Sequence, residues 1–199
     1  MNLKGVDQAQ SKYSRVILKS GKEQSLQRFH PWIFSGAIQE IVGRVEEGDV
    51  VEVVSNKNEF LAMGHVQVGS IAVRIFSFEK VEPDFAFWKG KLDRALDVRK
   101  KLGLVDNELT NVYRLVHGEG DGMPGLIVDF YNGTAVMQAH SAGMYVIRDV
   151  IANALKEVMG DRLVAVYEKS EKTVPFKAGL EAKDGYLLGD SKVFEVHEY

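Results

Sequence analysis

The hydrophobic period of this chain switches from two to 3.6 and back again, and no other feature restricts its fold as strongly. Within residues 1–80, Arg15–Lys19 (RVILK), Asp49–Ser55 (DVVEVVS) and Ser70–Phe78 (SIAVRIFSF) carry β-branched residues at alternating positions, the pattern of half-buried strands. The stretch FLAMGHV follows the polar turn NKNE and completes a hairpin with DVVEVVS. QSLQRF reads as a short helix that stops before Pro31, because His30 is pushed out of the helical region by the proline ring. Between 84 and 103 the period becomes helical: Phe85, Trp88, Leu92, Ala95, Leu96 and Leu102 form a stripe, with Lys89, Lys91, Arg94, Asp97 and Lys101 among the polar positions. Asp84 after Pro83 is placed to cap this helix and Gly103 to end it. From 113 the strands return as YRLVH, LIVDFY and TAVMQAH. A second helix over 142–159 follows, capped by Ser141 and closed by Gly160, and then LVAVYEK, GYLLGD and KVFEVHEY.

This order predicts an α+β fold in three parts. Residues 1–80 form a small β-barrel or sandwich of five or six strands with one short helix. Residues 81–103 form a connecting helix. Residues 104–199 form a strand-strand-helix-strand-strand domain, with antiparallel hairpins on either side of its helix. The stripe around Trp88 can cover a neighbouring domain or a second copy of the chain, so a homodimer is compatible with it. No apolar run approaches the length of a membrane span, and the first 30 residues lack a secretory signal. Cytoplasmic residence is therefore expected.

The chain of 199 residues has no cysteine. Disulfides, thiolate zinc sites and cysteine nucleophiles are excluded within it. The net charge of −3 conceals a gradient, since residues 104–199 hold fifteen Asp/Glu against nine Lys/Arg while residues 1–80 hold nine against ten. The first 30 residues concentrate Lys4, Lys12, Arg15, Lys19, Lys22 and Arg28 against Asp7 and Glu23. A basic edge of this kind can meet phosphate locally on an otherwise acidic protein.

GDGMPG (120–125) has the spacing of a dinucleotide fingerprint, but a dinucleotide site needs a strand before the glycines and a helix after them. Here a strand follows, and Asp121-Gly122 and Pro124-Gly125 are turn dipeptides. An oxidoreductase reading would rest on this motif alone. His117, Glu119 and Asp121 suggest an acid–base or metal cluster, yet the five histidines are too scattered for ligand spacing, and neither Ser35 nor Ser141 sits in a nucleophile elbow. The residues therefore predict no catalytic, metal or cofactor site. HPWIFSGAI (30–38) lies just after Lys19, Lys22 and Arg28. Cations beside aromatic and histidine side chains suit RNA, so Lys22, Arg28 and His30 are expected to face RNA while Trp32 and Phe34 are weighed as core residues.

HPWIFSGAI, GDVVEVV, FLAMGHV and SIAVRIF, in this order, resemble the N-terminal PUA domain of the PUA-fused 23S ribosomal RNA cytosine-C5 methyltransferases. YRLVHGEGDGMPGLIVDFY and VYEKSE resemble the central domain of the same family. The resemblance covers the chain from about Arg15 onward. It implies a structured RNA partner, 23S rRNA, contacted through Lys22, Gln27, Arg28, His30 and Trp32, beside the basic Lys19. It also implies a further Rossmann-like domain that binds S-adenosylmethionine and carries the catalytic cysteine. That domain is absent from these 199 residues, so the chain is expected to be the RNA-positioning portion of a longer enzyme. The alternative is a standalone, non-catalytic RNA-binding or ribosome-assembly module. The stretch KTVPFKAGL (172–180) departs from the acidic, arginine-containing segment of the family.

Overall fold

The computed structural model describes residues 11–175, 178–190 and 195–198. Its first part is a sheet of β1 (Ser14–Leu18), β2 (Trp32–Phe34), β3 (Ile38–Val42), β4 (Val50–Val54), β5 (Phe60–Val66) and β6 (Ile71–Ser77), with the one-turn helix α1 (Gln24–Gln27). The strand order is β2-β6-β5-β4-β1-β3, and β1 runs parallel to β4 while every other pair is antiparallel. The two edge strands, β2 and β3, are joined by the single turn Ser35–Ala37. A flat sheet of six strands would be about 24 Å wide, whereas the step from Phe34 to Ile38 spans at most about 14 Å. The sheet must therefore curl, as the barrel expectation required. Val16, Leu18, Leu26, Ile33, Val51, Val53, Ala62, Val73 and Ile75 fill the inside of the curl.

The second part begins with α2 (Phe85–Lys101). The Asp84 carboxylate accepts the Phe87 N–H at 2.9 Å, and Gly103 leaves the helix in the left-handed region (φ 70°). Both ends were legible. There follow β7 (Val112–His117), β8 (Leu126–Tyr131), β9 (Thr134–Ala139), α3 (Ala142–Val146), α4 (Arg148–Met159), β10 (Ala165–Glu168) and β11 (Gly185–Leu188), in the order β11-β10-β9-β8-β7.

Three expectations need correction. The order strand-strand-helix-strand-strand counts two strands before the helical segment, whereas YRLVH, LIVDFY and TAVMQAH all form strands there, as β7, β8 and β9. That segment is two helices that meet at Ile147, with the Ser141 hydroxyl capping the first. The strand after it, β10, pairs antiparallel with β11 as expected, but it also pairs parallel to β9, because the helical crossover returns the chain to the end of the sheet from which β9 started. Half of the expected last strand KVFEVHEY lies outside the described residues, and Glu195–Glu198 are not strand. His197 is nevertheless tied to Asn111 through reciprocal backbone and side-chain bonds. Among the described residues, no helix is long and apolar enough to cross a membrane.

A single apolar cluster crosses from the first part to the second, joining Met63 and Phe76 to Trp88, Leu92 and Leu96 of α2 and onward to Leu115, Met144 and Leu155. Trp88 is 1% exposed. Its ring stacks on His65 at 5.8 Å and 19°, and Phe76 and Phe87 approach edge-on at 5.3 and 5.0 Å. The indole N–H donates to the Pro83 carbonyl. The stripe that could have faced a second copy is thus covered by the chain's own sheet. On the other side of His65 lies Gly143, so close that a Cβ there would overlap the imidazole. Burial lowers the His65 pKa from 6.5 to about 4, so the ring is neutral in the folded protein.

Two outcomes follow from this junction. Gly143→Ala should destabilise the protein by about 1–3 kcal/mol through overpacking, read as a lower urea midpoint. The unfolded chain binds a proton at His65 from pH 6.5 downward while the folded chain resists it to about 4. Stability should therefore be lost as pH falls through that window, by about 3 kcal/mol in all. His65→Leu should remove this part of the dependence in unfolding curves taken at pH 7.5, 6, 5 and 4.

Candidate nucleic-acid interface

The segment from Lys19 to Phe34 is shaped by one unusual residue. Helix α1 lasts a single turn and is closed by Phe29 in the left-handed conformation (φ 59°), with the Phe29 N–H donating to the Leu26 carbonyl and the His30 N–H to the Ser25 carbonyl. This cap turns the chain outward, and Pro31 carries it into β2. There strand alternation buries Ile33 against Val73 and sends its neighbours to the other face. Phe34, weighed as a core residue, is 49% exposed for this reason.

Trp32 is half-buried rather than sunk in the core. Its indole N–H donates to Glu119 Oε1 at 2.8 Å. The Arg74 guanidinium, opposite Trp32 in the β2–β6 pairing, lies 5.7 Å from the indole ring and 3.2 Å from the same Glu119 oxygen. His30 meets Trp32 edge-on at 5.7 Å, and its Nδ1 faces the Trp32 N–H at 3.3 Å. Lys19 donates to the Gly36 carbonyl at 2.9 Å. Lys19, Lys22, Gln27, Arg28 and His30 are all exposed, and among the described residues none of the three cations is held in an ion pair. The structure thus places the six residues singled out from sequence along one stretch of chain. It adds Arg74 and Glu119, which sequence reading missed. A lone arginine in the alternating strand SIAVRIF was the available signal, but its partner is 45 positions away.

The glycine-rich loop has another role. His117 leads into a turn at Gly118–Asp121, Gly122 and Gly125 adopt positive φ, and β8 follows directly. No helix N-terminus is presented, so the loop fits neither a dinucleotide nor S-adenosylmethionine. Asp121 receives two bonds from Arg99, at 2.5 and 2.8 Å, and the His117 N–H at 2.6 Å, which locks the loop to α2. Glu119 is engaged by Trp32 and Arg74. The apparent acid–base cluster is therefore structural, and no group of metal-capable side chains exists among the described residues. His140 has a lowered pKa because of burial and the nearby cations Arg74 and Arg114.

Residues 16–78 match the family model of a PUA-like domain, so the curled sheet is a PUA-like domain. Over 178 residues the chain is 40% identical to the ribosomal RNA large subunit methyltransferase I of Alteromonas mediterranea, and over 179 residues it is 36% identical to that of Erwinia tasmaniensis. These alignments cover 88% and 89% of the chain but 44% of each relative, so the chain spans about half the length of the curated relatives it matches. A solved structure described as a SAM-dependent methyltransferase from Streptococcus mutans shares the fold at a TM-score of 0.75 and 22% identity, over 92% of the chain and 46% of that structure.

The Arg99 and Asp121 side chains are each 10% exposed, so removing one charge strands the other. Asp121→Asn should cost about 3 kcal/mol in chemical denaturation. Disrupting the more exposed Arg114–Asp129 pair by Arg114→Ala should cost at most about 1 kcal/mol. Equal losses would show that the loop is not anchored through α2.

Proposed function

We propose that this chain is the RNA-binding, substrate-positioning portion of an S-adenosylmethionine-dependent methyltransferase that acts on cytosine C5 of 23S ribosomal RNA. The observation that carries the reading is the exposed basic edge of the PUA-like domain, Lys19, Lys22 and Arg28 beside His30 and Trp32, in a chain 40% identical to a ribosomal RNA methyltransferase. Cations supply sequence-independent attraction to the phosphate backbone, and the aromatic and imidazole rings add contact to unpaired bases. The second part meets this edge through Glu119, and among its described residues no group of metal-capable side chains is brought together.

Methylation at C5 of a pyrimidine needs a nucleophile to add at C6, and the family uses a thiolate for that step. These 199 residues contain no cysteine, and their glycine-rich loop does not fit the methyl donor. We therefore assign the donor and the nucleophile to the part of the protein that corresponds to the remaining half of the relatives. The residues described here bind and orient the RNA.

The test is fluorescence anisotropy with a labelled 23S rRNA fragment across a potassium chloride series. Wild type should bind with affinity that falls steeply as salt rises. Lys22→Glu and Arg28→Glu should each weaken binding about tenfold and shallow the salt dependence by roughly one phosphate contact. Unchanged affinity in both variants would overturn the reading.

A further inference from the structure

The exposed edge continues into a cleft of about 860 Å³ between the curled sheet and α2. One wall carries Phe29, Pro31, residues 75–79 and Val81; the other carries Phe87, Lys91 and Arg94 of α2, and Glu119, Gly120, Gly122 and Pro124 complete the lining. The structural junction at Trp88 uses Phe87 and Phe76 but leaves Phe29, Phe78, Lys91 and Arg94 without a part in it.

Phe29 is the first of these. A helix end in the left-handed region ordinarily takes glycine, because a side chain there is strained. Here the position holds a phenylalanine that is 72% exposed, its ring edge-on to the half-buried Phe78 at 5.2 Å. Folding gains little from so exposed a ring, while an aromatic face held at the mouth of a cleft is a stacking platform.

The cations are the second. Lys91 and Arg94 are neighbours one turn apart on α2, where like charges repel. The acidic residues near them are engaged elsewhere, Asp93 with Lys89 and Asp97 with Lys101. Lys91 is half-buried, its ammonium 5.2 Å from the Phe87 ring and so near the loop that a Cβ on Gly122 would lie 3.0 Å from it. Burial, with Arg94 adding to it, lowers the Lys91 pKa to about 8. Among the described residues neither cation has an ion-pair partner. An anion placed between them would relieve both the repulsion and the desolvation. Two carboxylates also line the cleft. Glu119 is neutralised by Arg74 and the Trp32 N–H. Glu79 is exposed on the wall opposite α2, which disfavours phosphate on that side and directs it toward Lys91 and Arg94.

We propose that the cleft is a binding site for a single unpaired nucleotide of the RNA, with its phosphate between Lys91 and Arg94 and its base laid on Phe29 and Phe78. The site rests on the RNA-binding reading and deepens it, for it makes the chain select single-stranded over duplex RNA. A cleft of this volume accepts one nucleotide, whereas paired bases cannot leave the stack to reach Phe29.

The test compares a labelled 12-nucleotide single strand with a 12-base-pair RNA duplex. Phe29→Ala and Lys91→Ala should each weaken binding of the single strand five- to tenfold while changing duplex affinity less than twofold. Phe29→Gly separates function from folding. It relieves the left-handed strain and should melt no lower than wild type, yet it should lose single-strand affinity to the same extent. A 5-bromouridine-substituted strand should photocrosslink to the Phe29–Phe78 wall. If Arg28→Glu weakens binding while the Phe29 and Lys91 variants do not, the nucleotide site is overturned and the basic edge stands. If no variant affects binding, both fall.

Discussion

The stacking of Trp88 on His65 sets the position of everything else in this protein. The PUA-like sheet completes its own small core, but Met63, Phe76 and His65 lie on its outer face and need a cover. Helix α2 supplies it with Trp88, and α3 supplies the other side with Gly143, a residue whose missing side chain lets the helix backbone reach the imidazole. The stack is dry. It tolerates a histidine only in its neutral form, and it leaves little room for any other arrangement of the two parts.

That rigid junction gives the functional face its geometry. Because α2 is fixed on the sheet, the loop tied to it through Arg99 and Asp121 arrives beside β2 with Glu119 pointing at Trp32 and Arg74. The carboxylate thus ties the turn between β7 and β8 to β2 and β6 of the first sheet. The same placement fixes the cleft between Phe29 and Lys91. Charge plays a dual part: the cations that anchor structure, Arg74 and Arg99, are matched by carboxylates, whereas Lys22, Arg28, Lys91 and Arg94 face outward or into the cleft with no carboxylate partner among the described residues.

Local features of this fold could be read from the chain. Asp84, Ser141, Gly103 and Gly160 mark helix ends through chemistry that acts over three or four residues, and the turn character of GDGMPG followed from the strand after it. What escaped the reading depends on partners distant in sequence. The parallel pairing of β10 with β9 is decided by the path of the crossover, and the break at Ile147 separates α3, which contacts β5, from α4, which packs on α2. Trp32 and Phe34 share one face of β2 but differ in surroundings, because Glu119 and Arg74 reach the first while the second has the His30 ring at 6.5 Å and stays 49% exposed. The basic edge was visible as composition. The cleft was not, since its two walls come from opposite sides of α2's N-terminus and meet only in three dimensions.

The shared cover over His65 also has a bearing on synthesis at the ribosome. The PUA-like sheet has all of its strands once Ser77 has emerged, but the helices that shield its outer face end at Lys101 and Val146. Roughly 70 further residues must be translated before the second of them exists, which at about 5–20 residues per second leaves Met63, His65 and Phe76 partly uncovered for on the order of 4–14 s. During that interval the nascent chain carries a sticky apolar surface beside a finished basic edge. The protein therefore has a window in which chaperone capture, or premature contact with the RNA proposed as its partner, competes with the docking that gives it its final shape.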